Sequence, residues 1–204
     1  MPNGIRGTEL PCLTDGETGM DAYEALVTRV SPIDIGDPAP DEETARKILA
    51  AALRAPDHGR LHPWRFISIR GEGRQRLGDV FAAALQRRDP NVTPELLERE
   101  RRKPLRGPLL IVVVARIAEP SKIPAVEQIL SAGAAAQNIM LASHALGFGA
   151  MWKTGEAAYN AGVKDALGLE AWEIIAGLLY IGTPKTLPKQ PAPLEPADFI
   201  RTWP

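Results

Sequence analysis

The chain has 204 residues, of which 45% are hydrophobic and 24% charged, and its formal net charge is −1. This length suits one large domain with a sizeable core, and a charge near zero gives no electrostatic support for binding nucleic acid. The single cysteine, Cys12, cannot form an internal disulfide, which fits a reducing compartment, so we expect a cytoplasmic protein. Apolar runs such as residues 109–115 are too short to cross a bilayer, so we expect no membrane partner.

Two helices are predicted in the first quarter of the chain. Residues 1–19 mix Gly, Pro, Thr and acidic residues without apolar periodicity, which indicates a mobile N-terminal extension ahead of a single domain over 20–204. A short helix is predicted over 21–29. A second helix follows Asp41, a suitable N-cap, and ends before Pro56. Its apolar face has helical spacing and comprises Ala45, Ile48, Leu49, Ala52 and Leu53.

Strands and helices alternate in the middle of the chain. A β-rich run covers 64–70, and the GEG turn at 71–73 opens another helix. The charged stretch 95–103 predicts an exposed helix. The run 109–115 (LLIVVVA) has no polar alternation, which is typical of a strand that is covered on both faces.

The longest helical pattern spans 124–146 and has Gly147 just past its end. Its middle, 131–136 (SAGAAA), consists of small residues that let other backbones come close. We therefore expect a central, buried helix that also suits a close two-fold interface between two copies of the chain.

The last third of the chain completes the sheet. Strands are predicted over 149–153 and 174–182, with a helix near 159–167 between them. The tail, 185–204, carries five prolines and is expected to be extended and to lie across a surface. Together the elements predict an α+β fold, a three-layer α/β/α sandwich in which helices cover both faces of one sheet.

The sequence lacks the motifs of most enzymes whose chemistry is carried out by their own side chains. It contains no GxGxxG motif after a strand, no GxxxxGK[ST] phosphate loop and no GxSxG nucleophile motif. The three histidines, His58, His62 and His144, have no metal-ligand spacing with cysteines or carboxylates. We therefore expect the difficult chemical step to be carried out by a bound cofactor.

Four segments carry residues suited to such a ligand. Where the second helix gives way to a loop, arginine forks and histidines could hold an anionic aromatic molecule, namely Arg54, His58, Arg60, His62 and Arg65. On residue types alone, the simpler alternative is favoured, in which Arg54 complements the helix terminus and His58 caps the loop. Taken alone, the segment 28–31 is an ordinary helix end, and the segment 180–185 is a turn. The segment 147–155 is explained equally well as an edge strand with a packed tryptophan and a solvated lysine.

The order and spacing of these segments are more informative than any one of them. The motifs in chain order are RAPDH at 54–58, PW at 63–64, GEGR at 71–74, RGP at 106–108, EQ at 127–128, SAG at 131–133, GFGAMWKTG at 147–155 and YIGTP at 180–184. Over about residues 20–184 this series resembles the nitroreductase family of FMN oxidoreductases, in particular its smallest bacterial members.

The resemblance implies a fold, a cofactor and an activity. It implies an α+β homodimer with FMN at the subunit interface, which takes hydride from NADH or NADPH by a ping-pong mechanism. The acceptor would be an electron-poor small molecule such as a nitroaromatic compound or a quinone. No side chain is assigned as an obligatory acid or base.

The resemblance also implies site residues, carried over only where this sequence matches. The residues that match FMN ligands are Arg29, Ser31, Arg54, His58, Trp152, Lys153 and Thr154. The residues that match the segment admitting the nicotinamide nucleotide are Ala142, Ser143, His144, Ala145, Leu146 and Gly147. Lys153 or Arg54 would stabilise negative charge on the reduced flavin.

One departure from the family pattern concerns the phosphate end. The second arginine of the first motif is Val30 here, and Asp34 and Asp37 add negative charge nearby. Arg60 or Lys185 is expected to compensate. The alternatives are a flavin store or sensor without reductase turnover, an enzyme of the same fold that consumes reduced flavin, and an interaction domain with no cofactor.

Overall fold

The computed structural model describes residues 20–186 and 188–203, so the N-terminal extension expected over 1–19 lies outside the described residues. The strands are β1 (Ile35–Gly36), β2 (Trp64–Arg70), β3 (Leu109–Arg116), β4 (Gly149–Lys153) and β5 (Glu173–Pro184). The α-helices are α1 (Ala22–Thr28), α2 (Glu42–Ala52), α3 (Glu72–Arg88), α4 (Pro94–Arg102), α5 (Ala125–Ala145) and α6 (Ala161–Ala166). Turns of 3-10 helix lie at His58–Arg60, Lys103–Leu105, Glu156–Tyr159 and Pro196–Asp198.

The strands form one antiparallel sheet around β5. β5 pairs with β3, with β4 and, at its end, with the two-residue β1, while β2 pairs with the other side of β3. Val112 of β3 thus lies opposite Ile67 of β2 and Leu178 of β5. β3 is paired along both edges, and its first seven residues are buried.

Helices cover both faces of the sheet. The odd-numbered residues of β3 pack on one face with Ile48 of α2 and Ile139 of α5. The even-numbered residues pack on the other face with Phe81 of α3 and Val163 of α6. One strand therefore supplies side chains to two cores, which is what an apolar run without alternation predicts. The α+β, three-layer α/β/α architecture is confirmed.

Helix ends follow the sequence signals, with one exception. The Asp41 side chain accepts a hydrogen bond from the Thr44 backbone N–H at 2.8 Å, and this bond holds the pKa of Asp41 below its usual value. α2 ends at Ala52, before Pro56. The exception is Leu53, which was assigned to the apolar face but is 58% exposed, because it is the C-cap and lies beyond the last regular turn.

The small residues of α5 serve the core of the protomer rather than an interface. Ser131, Ala132, Ala135 and Ala136 are buried, and the alanines pack with the sheet core. The expectation that 131–136 forms the two-fold interface is wrong for these four, because their side chains are already buried within the protomer, the alanines against the sheet and Ser131 beside the Pro56 carbonyl. The outward face of the helix instead carries exposed apolar residues, among them Val126 and Leu130.

The tail and the last connection differ from their predictions. The helix expected near 159–167 is two pieces, since Asn160 ends a 3-10 turn and its side chain caps α6 through the Val163 N–H. The tail is mostly extended, and residues 189–203 are exposed, although Gln190 donates a hydrogen bond to the Thr28 carbonyl. Within the described ranges, no helix is both long and apolar enough to span a membrane.

Candidate functional site

Helix α5 connects the segments that the sequence singled out. His58 contacts Glu127 near the start of α5, Trp152 approaches Gly133 near its middle, and the segment before Arg29 is attached near its end. Seventeen residues separate Glu127 from His144, which at about 1.5 Å per residue corresponds to about 25 Å along the helix. The candidate ligands are thus distributed along one helix and not gathered at one point.

The segment that carries Arg29 is fixed by the hydroxyl of Thr28. This hydroxyl donates to the Glu24 carbonyl at 2.6 Å and lies 2.9 Å from His144 Nε2. Because a hydroxyl has one hydrogen, it accepts from His144, whose Nε2 therefore carries the proton. Gln190 of the tail adds a third contact by donating to the Thr28 carbonyl at 3.2 Å. The chain beyond α1 thus leaves the helix in a defined direction.

Arg29 and Ser31 are available to a ligand. Arg29 is half-buried, its Nη1 lies 3.5 Å from Ser31 Oγ, and no carboxylate forms an ion pair with it among the described residues. Asp34, which was expected to weaken phosphate binding here, is 3.8 Å from Lys185 Nζ and is therefore partly neutralised. Lys185 is thus already engaged, and Arg60 remains the expected compensating cation.

Arg54 lines an open groove between α1, the end of α2 and α5. The groove has a volume of about 440 Å³, and most of its lining is apolar, including Leu26, Leu141 and Ala142. Arg54 is exposed, and the described part of the chain gives it no hydrogen bond or ion pair. The structure therefore brings one predicted FMN ligand together with Ala142 and Ala145 of the predicted nucleotide segment.

The loop that carries His58 is closed by Asp57. The Asp57 carboxylate accepts hydrogen bonds from the backbone N–H groups of Leu61 at 3.1 Å and His62 at 2.9 Å. Asp57, and not His58, caps the loop, so the simpler interpretation of His58 is wrong. His58 Nδ1 lies 2.6 Å from Glu127 Oε2, and the imidazole is exposed.

Arg65 is a structural residue. Its Nε donates to Glu173 Oε1 at 2.6 Å, and one terminal nitrogen also donates to the Gly168 carbonyl at 2.9 Å. The guanidinium holds the pKa of the buried Glu173 carboxyl below its usual value, while the same bond raises the pKa of Arg65. Both groups stay charged and paired, so Arg65 does not belong with the candidate ligands.

The end of β4 presents a packed tryptophan beside a free cation. Trp152 Nε1 donates to the Ala176 carbonyl at 3.1 Å, and its ring covers Gly177. Lys153 is exposed and has no hydrogen bond or ion pair with any described residue, and Thr154 is half-buried. The packed tryptophan and solvated lysine of the simpler interpretation are both present. A lysine without a counter-ion is also able to stabilise negative charge on a bound ligand.

The predicted nucleotide segment has little hydrogen-bonding capacity left. Ser143 is fully buried and its hydroxyl donates to the Ile139 carbonyl, and His144 is bonded to Thr28. The N–H groups of Leu146, Gly147 and Phe148 donate to carbonyls of the last helical turn, forming a Schellman motif at Gly147. The side chain of Ser143 is therefore not available to a ligand, whereas Ala145, Leu146 and Gly147 are exposed.

The last motif, at 180–184, is structural in this protomer. Tyr180 is buried in β5, and burial raises the pKa of its hydroxyl to about 12. Thr183 Oγ1 donates to the Pro38 carbonyl at 2.8 Å, beside the pairing of β5 with β1. The interpretation of this motif as a turn is wrong, because β5 continues to Pro184 through its pairing with β1.

Two residues of the site were missed as functional candidates. Glu127 was noted only as part of the EQ motif and Asp57 only as part of RAPDH. Their partners, His58 for Glu127 and the loop N–H groups for Asp57, explain why acidic residues stand at these positions. No group of three or more potential metal ligands occurs in the residues that the structure describes.

Comparisons with known proteins find related sequences over most of the chain. A family model described as "Nitroreductase family" matches residues 36–183. A protein named "Putative NAD(P)H nitroreductase YdjA" from Escherichia coli (strain K12) is 39% identical over 168 residues, which cover 81% of this chain and 90% of that protein. A "Putative NAD(P)H nitroreductase" from Haemophilus influenzae is 37% identical over 166 residues, covering 80% and 89% of the two chains.

Solved structures share the fold. A nitroreductase-like family protein from Bacillus cereus has a TM-score of 0.79 at 25% identity, and the match covers 92% of this chain and 98% of that one. A mutant of the FMN and NADPH-dependent nitroreductase NfnB from a Sphigopyxis strain has a TM-score of 0.72 at 23% identity, with coverage of 90% and 99%.

Proposed function

The chain belongs to the nitroreductase family of oxidoreductases, and from that premise we propose that it binds FMN between two copies of itself and takes hydride from NADH or NADPH. In a ping-pong cycle the electrons then pass to a nitroaromatic compound, a quinone or a similar electron-poor acceptor. The cytoplasmic location stays a prediction from the single cysteine.

The observation that carries this proposal is a set of cations without counter-ions. Arg54 lines the groove beside α5, Arg29 follows the segment that is bonded to α5, and Lys153 ends β4; none of the three is ion-paired to a described carboxylate. Arg65, which the sequence grouped with Arg54 as a candidate ligand, is by contrast ion-paired to Glu173. A cation without a counter-ion at a helix or strand end is available to an anionic ligand.

These groups fit the chemistry of FMN. Two guanidinium groups and the Ser31 hydroxyl suit a phosphate, because arginine forks and hydroxyls donate to its oxygens. Lys153 supplies a positive charge where an electron-rich ring requires one. Bound FMN would supply the hydride chemistry, and the protein would supply position and electrostatic field.

The distances along α5 support assembly of the site from two chains. The contacts that anchor the Arg29 segment and His58 lie near opposite ends of the helix, about 25 Å apart along its axis. This spread along the helix is consistent with a site in which one of the two ligands comes from the partner. The outward face of α5, with Val126 60% and Leu130 66% exposed, offers apolar surface for that partner.

One observation favours a second candidate, a flavin store or sensor without reductase turnover. The backbone donors at the end of α5 are already used, so the predicted nucleotide segment offers only exposed apolar surface and carbonyls. A nicotinamide nucleotide would have to be held by contacts other than hydrogen bonds from these N–H groups.

The two candidates are separated by one experiment. The purified protein is loaded with FMN and mixed anaerobically with NADH or NADPH while the visible flavin absorption is followed. Bleaching supports the reductase, whereas a yellow protein that neither nucleotide bleaches supports the store or sensor. A protein that stays colourless with excess FMN refutes both.

The Arg54→Ala variant tests the assignment of the site, with Arg46→Ala as its control. Both arginines are exposed and belong to α2 or its end, but only Arg54 lines the groove. We expect Arg54→Ala to weaken FMN binding by about 1–2 kcal/mol, the value of a charge-assisted hydrogen bond at a partly solvated site. Equal FMN affinity of the two variants would contradict the assignment.

A further inference from the structure

We infer that Glu127 is a positioning residue for His58. It holds the imidazole in the tautomer that carries its proton on Nδ1, so that Nε2 accepts a hydrogen bond from a hydroxyl or N–H group of the flavin. His58 would then recognise the ribityl chain or ring of FMN and not its phosphate. The inference rests on the proposed function, in which His58 contacts FMN.

The contact itself fixes the tautomer. His58 Nδ1 and Glu127 Oε2 are 2.6 Å apart, a short distance for a hydrogen bond to a carboxylate. An ionised carboxylate only accepts hydrogen bonds, so the proton of a neutral imidazole must lie on Nδ1. The second nitrogen, Nε2, is then an acceptor, and the exposed ring offers it to a ligand.

The loop around His58 is fixed from several sides. Gly59, Arg60 and His62 all adopt positive φ values of 72°, 56° and 49°, which the Asp57 hydrogen bonds stabilise. On the other side, Ser131 Oγ donates to the Pro56 carbonyl at 2.5 Å and so ties the loop to α5. A backbone conformation that residues with side chains rarely adopt is therefore maintained directly beside the histidine.

The charge of the pair argues against a phosphate ligand. If the imidazole were protonated, the Glu127 carboxylate 2.6 Å away would neutralise it. The pair as a whole would then attract a phosphate far less than Arg29 and Arg54, which lack carboxylate partners among the described residues. Nε2 of His58 can still accept a hydrogen bond from an uncharged donor. The ribityl hydroxyls and the ring N–H of FMN are donors of this kind.

The first test measures the tautomer without any flavin. The protein is labelled with ¹⁵N-histidine, and the ring nitrogen shifts of His58 are assigned by loss of its signals in His58→Gln; only three histidines contribute. We expect the Nδ1–H form in the wild type and a shift towards the Nε2–H form in Glu127→Gln. Glu119→Gln is the matched control, because Glu119 is an exposed acid shortly before α5 that forms no hydrogen bond or ion pair with any described residue. An unchanged tautomer in Glu127→Gln overturns the inference.

The second test compares FMN with riboflavin, which lacks the phosphate. We expect Glu127→Gln to raise both dissociation constants by the same factor, about three- to tenfold for one hydrogen bond. Loss of FMN affinity alone would mean that His58 serves the phosphate, and the inference would be wrong.

A double variant shows whether Glu127 acts through His58. In the His58→Gln background, Glu127→Gln should leave the FMN dissociation constant unchanged, whereas a purely structural role would weaken binding again and overturn the inference. The proposed function fails in a different way: the wild type would then bind neither flavin. The tautomer measurement, made without flavin, would still decide what Glu127 does to His58.

Discussion

Replacing Thr28 with valine tests whether α5 holds the segment that carries Arg29 and Ser31. The Thr28 hydroxyl donates to the Glu24 carbonyl at 2.6 Å and accepts from His144 Nε2 at 2.9 Å. Valine has nearly the same shape but no hydroxyl, so the variant removes both hydrogen bonds and keeps the packing. The half-buried His144 N–H is left without this partner.

The expected loss of stability follows from these two bonds. One net hydrogen bond contributes about 1 kcal/mol, and a donor left partly buried without a partner adds a fraction of its desolvation cost. The helix keeps its own backbone bonds and water reaches part of the site, so we expect a total of about 1.5 kcal/mol. For a chain of this size the melting temperature should then fall by about 3–6 °C.

Two measurements check the prediction. Thermal unfolding without flavin gives the stability change, with Thr186→Val as a control at an exposed threonine that forms no hydrogen bond with any described residue. FMN titration should show a dissociation constant raised by about 2- to 12-fold, because side chains that were held in place must now be ordered on binding.

A double-mutant cycle with His144→Gln identifies the contact responsible. A coupling energy of at least about 0.5 kcal/mol between Thr28→Val and His144→Gln is expected for residues in direct contact. The reasoning is refuted if Thr28→Val melts and binds FMN like the wild type. It is also refuted if the two substitutions are strictly additive, since His144 would then have no part in holding the segment.

Three further predictions each concern a single residue. The pKa of Glu173 is held low by Arg65, so the pair contributes stability above the unfolded pKa of about 4.3 and loses it as the pH falls towards the folded value. Glu173→Gln should lower the free energy of unfolding by about 2 kcal/mol at pH 7 and weaken its decrease at acid pH, measured by urea unfolding at a series of pH values. The same decrease at acid pH in variant and wild type would contradict the pairing. Gly177→Ala places a methyl group on the Trp152 indole and should shift its fluorescence and cost about 1–3 kcal/mol, whereas an unshifted spectrum would mean that the ring packs elsewhere. Lys153→Met should lower the midpoint potential of bound FMN by roughly 20 mV, the equivalent of about 1 kcal/mol of charge stabilisation for a two-electron couple. The potential is measured by equilibration with a redox dye. An unchanged potential would mean that Lys153 does not lie near the flavin ring.

Local patterns predicted the regular elements well. The bounds of β2 and β4 agree with the sequence prediction, and the unbroken apolar run of β3 correctly indicated two covered faces. β1 was not predicted, since two residues carry no periodicity and the strand exists only through pairing with the end of β5. Leu53 was misplaced because apolar spacing continues past the point where the helix ends.

Long-range contacts decided which polar residues were misjudged. Arg54 and Arg65 look alike in the sequence, yet Arg65 meets Glu173, 108 residues away, and Arg54 meets no carboxylate in the described chain. His58 and Glu127 are 69 residues apart, so no local pattern links them. The resemblance to a family supplied the candidate segments, but whether a side chain within them is free or engaged depends on pairings that only the fold determines.

The attachment of the site to α5 has a consequence for binding in the proposed dimer. If Arg29 of one chain and His58 of the other hold the same FMN, each ligand contact is available only when the outward faces of α5 are paired. Binding of FMN and association of the chains are then linked, and each stabilises the other by the same free energy. Such linkage explains how a chain with Val30 in place of an arginine could retain FMN, because association supplies contacts that its own phosphate end lacks. The affinity for FMN is then a property of the two chains together. Substitutions on the outward face of α5 would change this affinity by altering association of the chains, although they contact no FMN ligand.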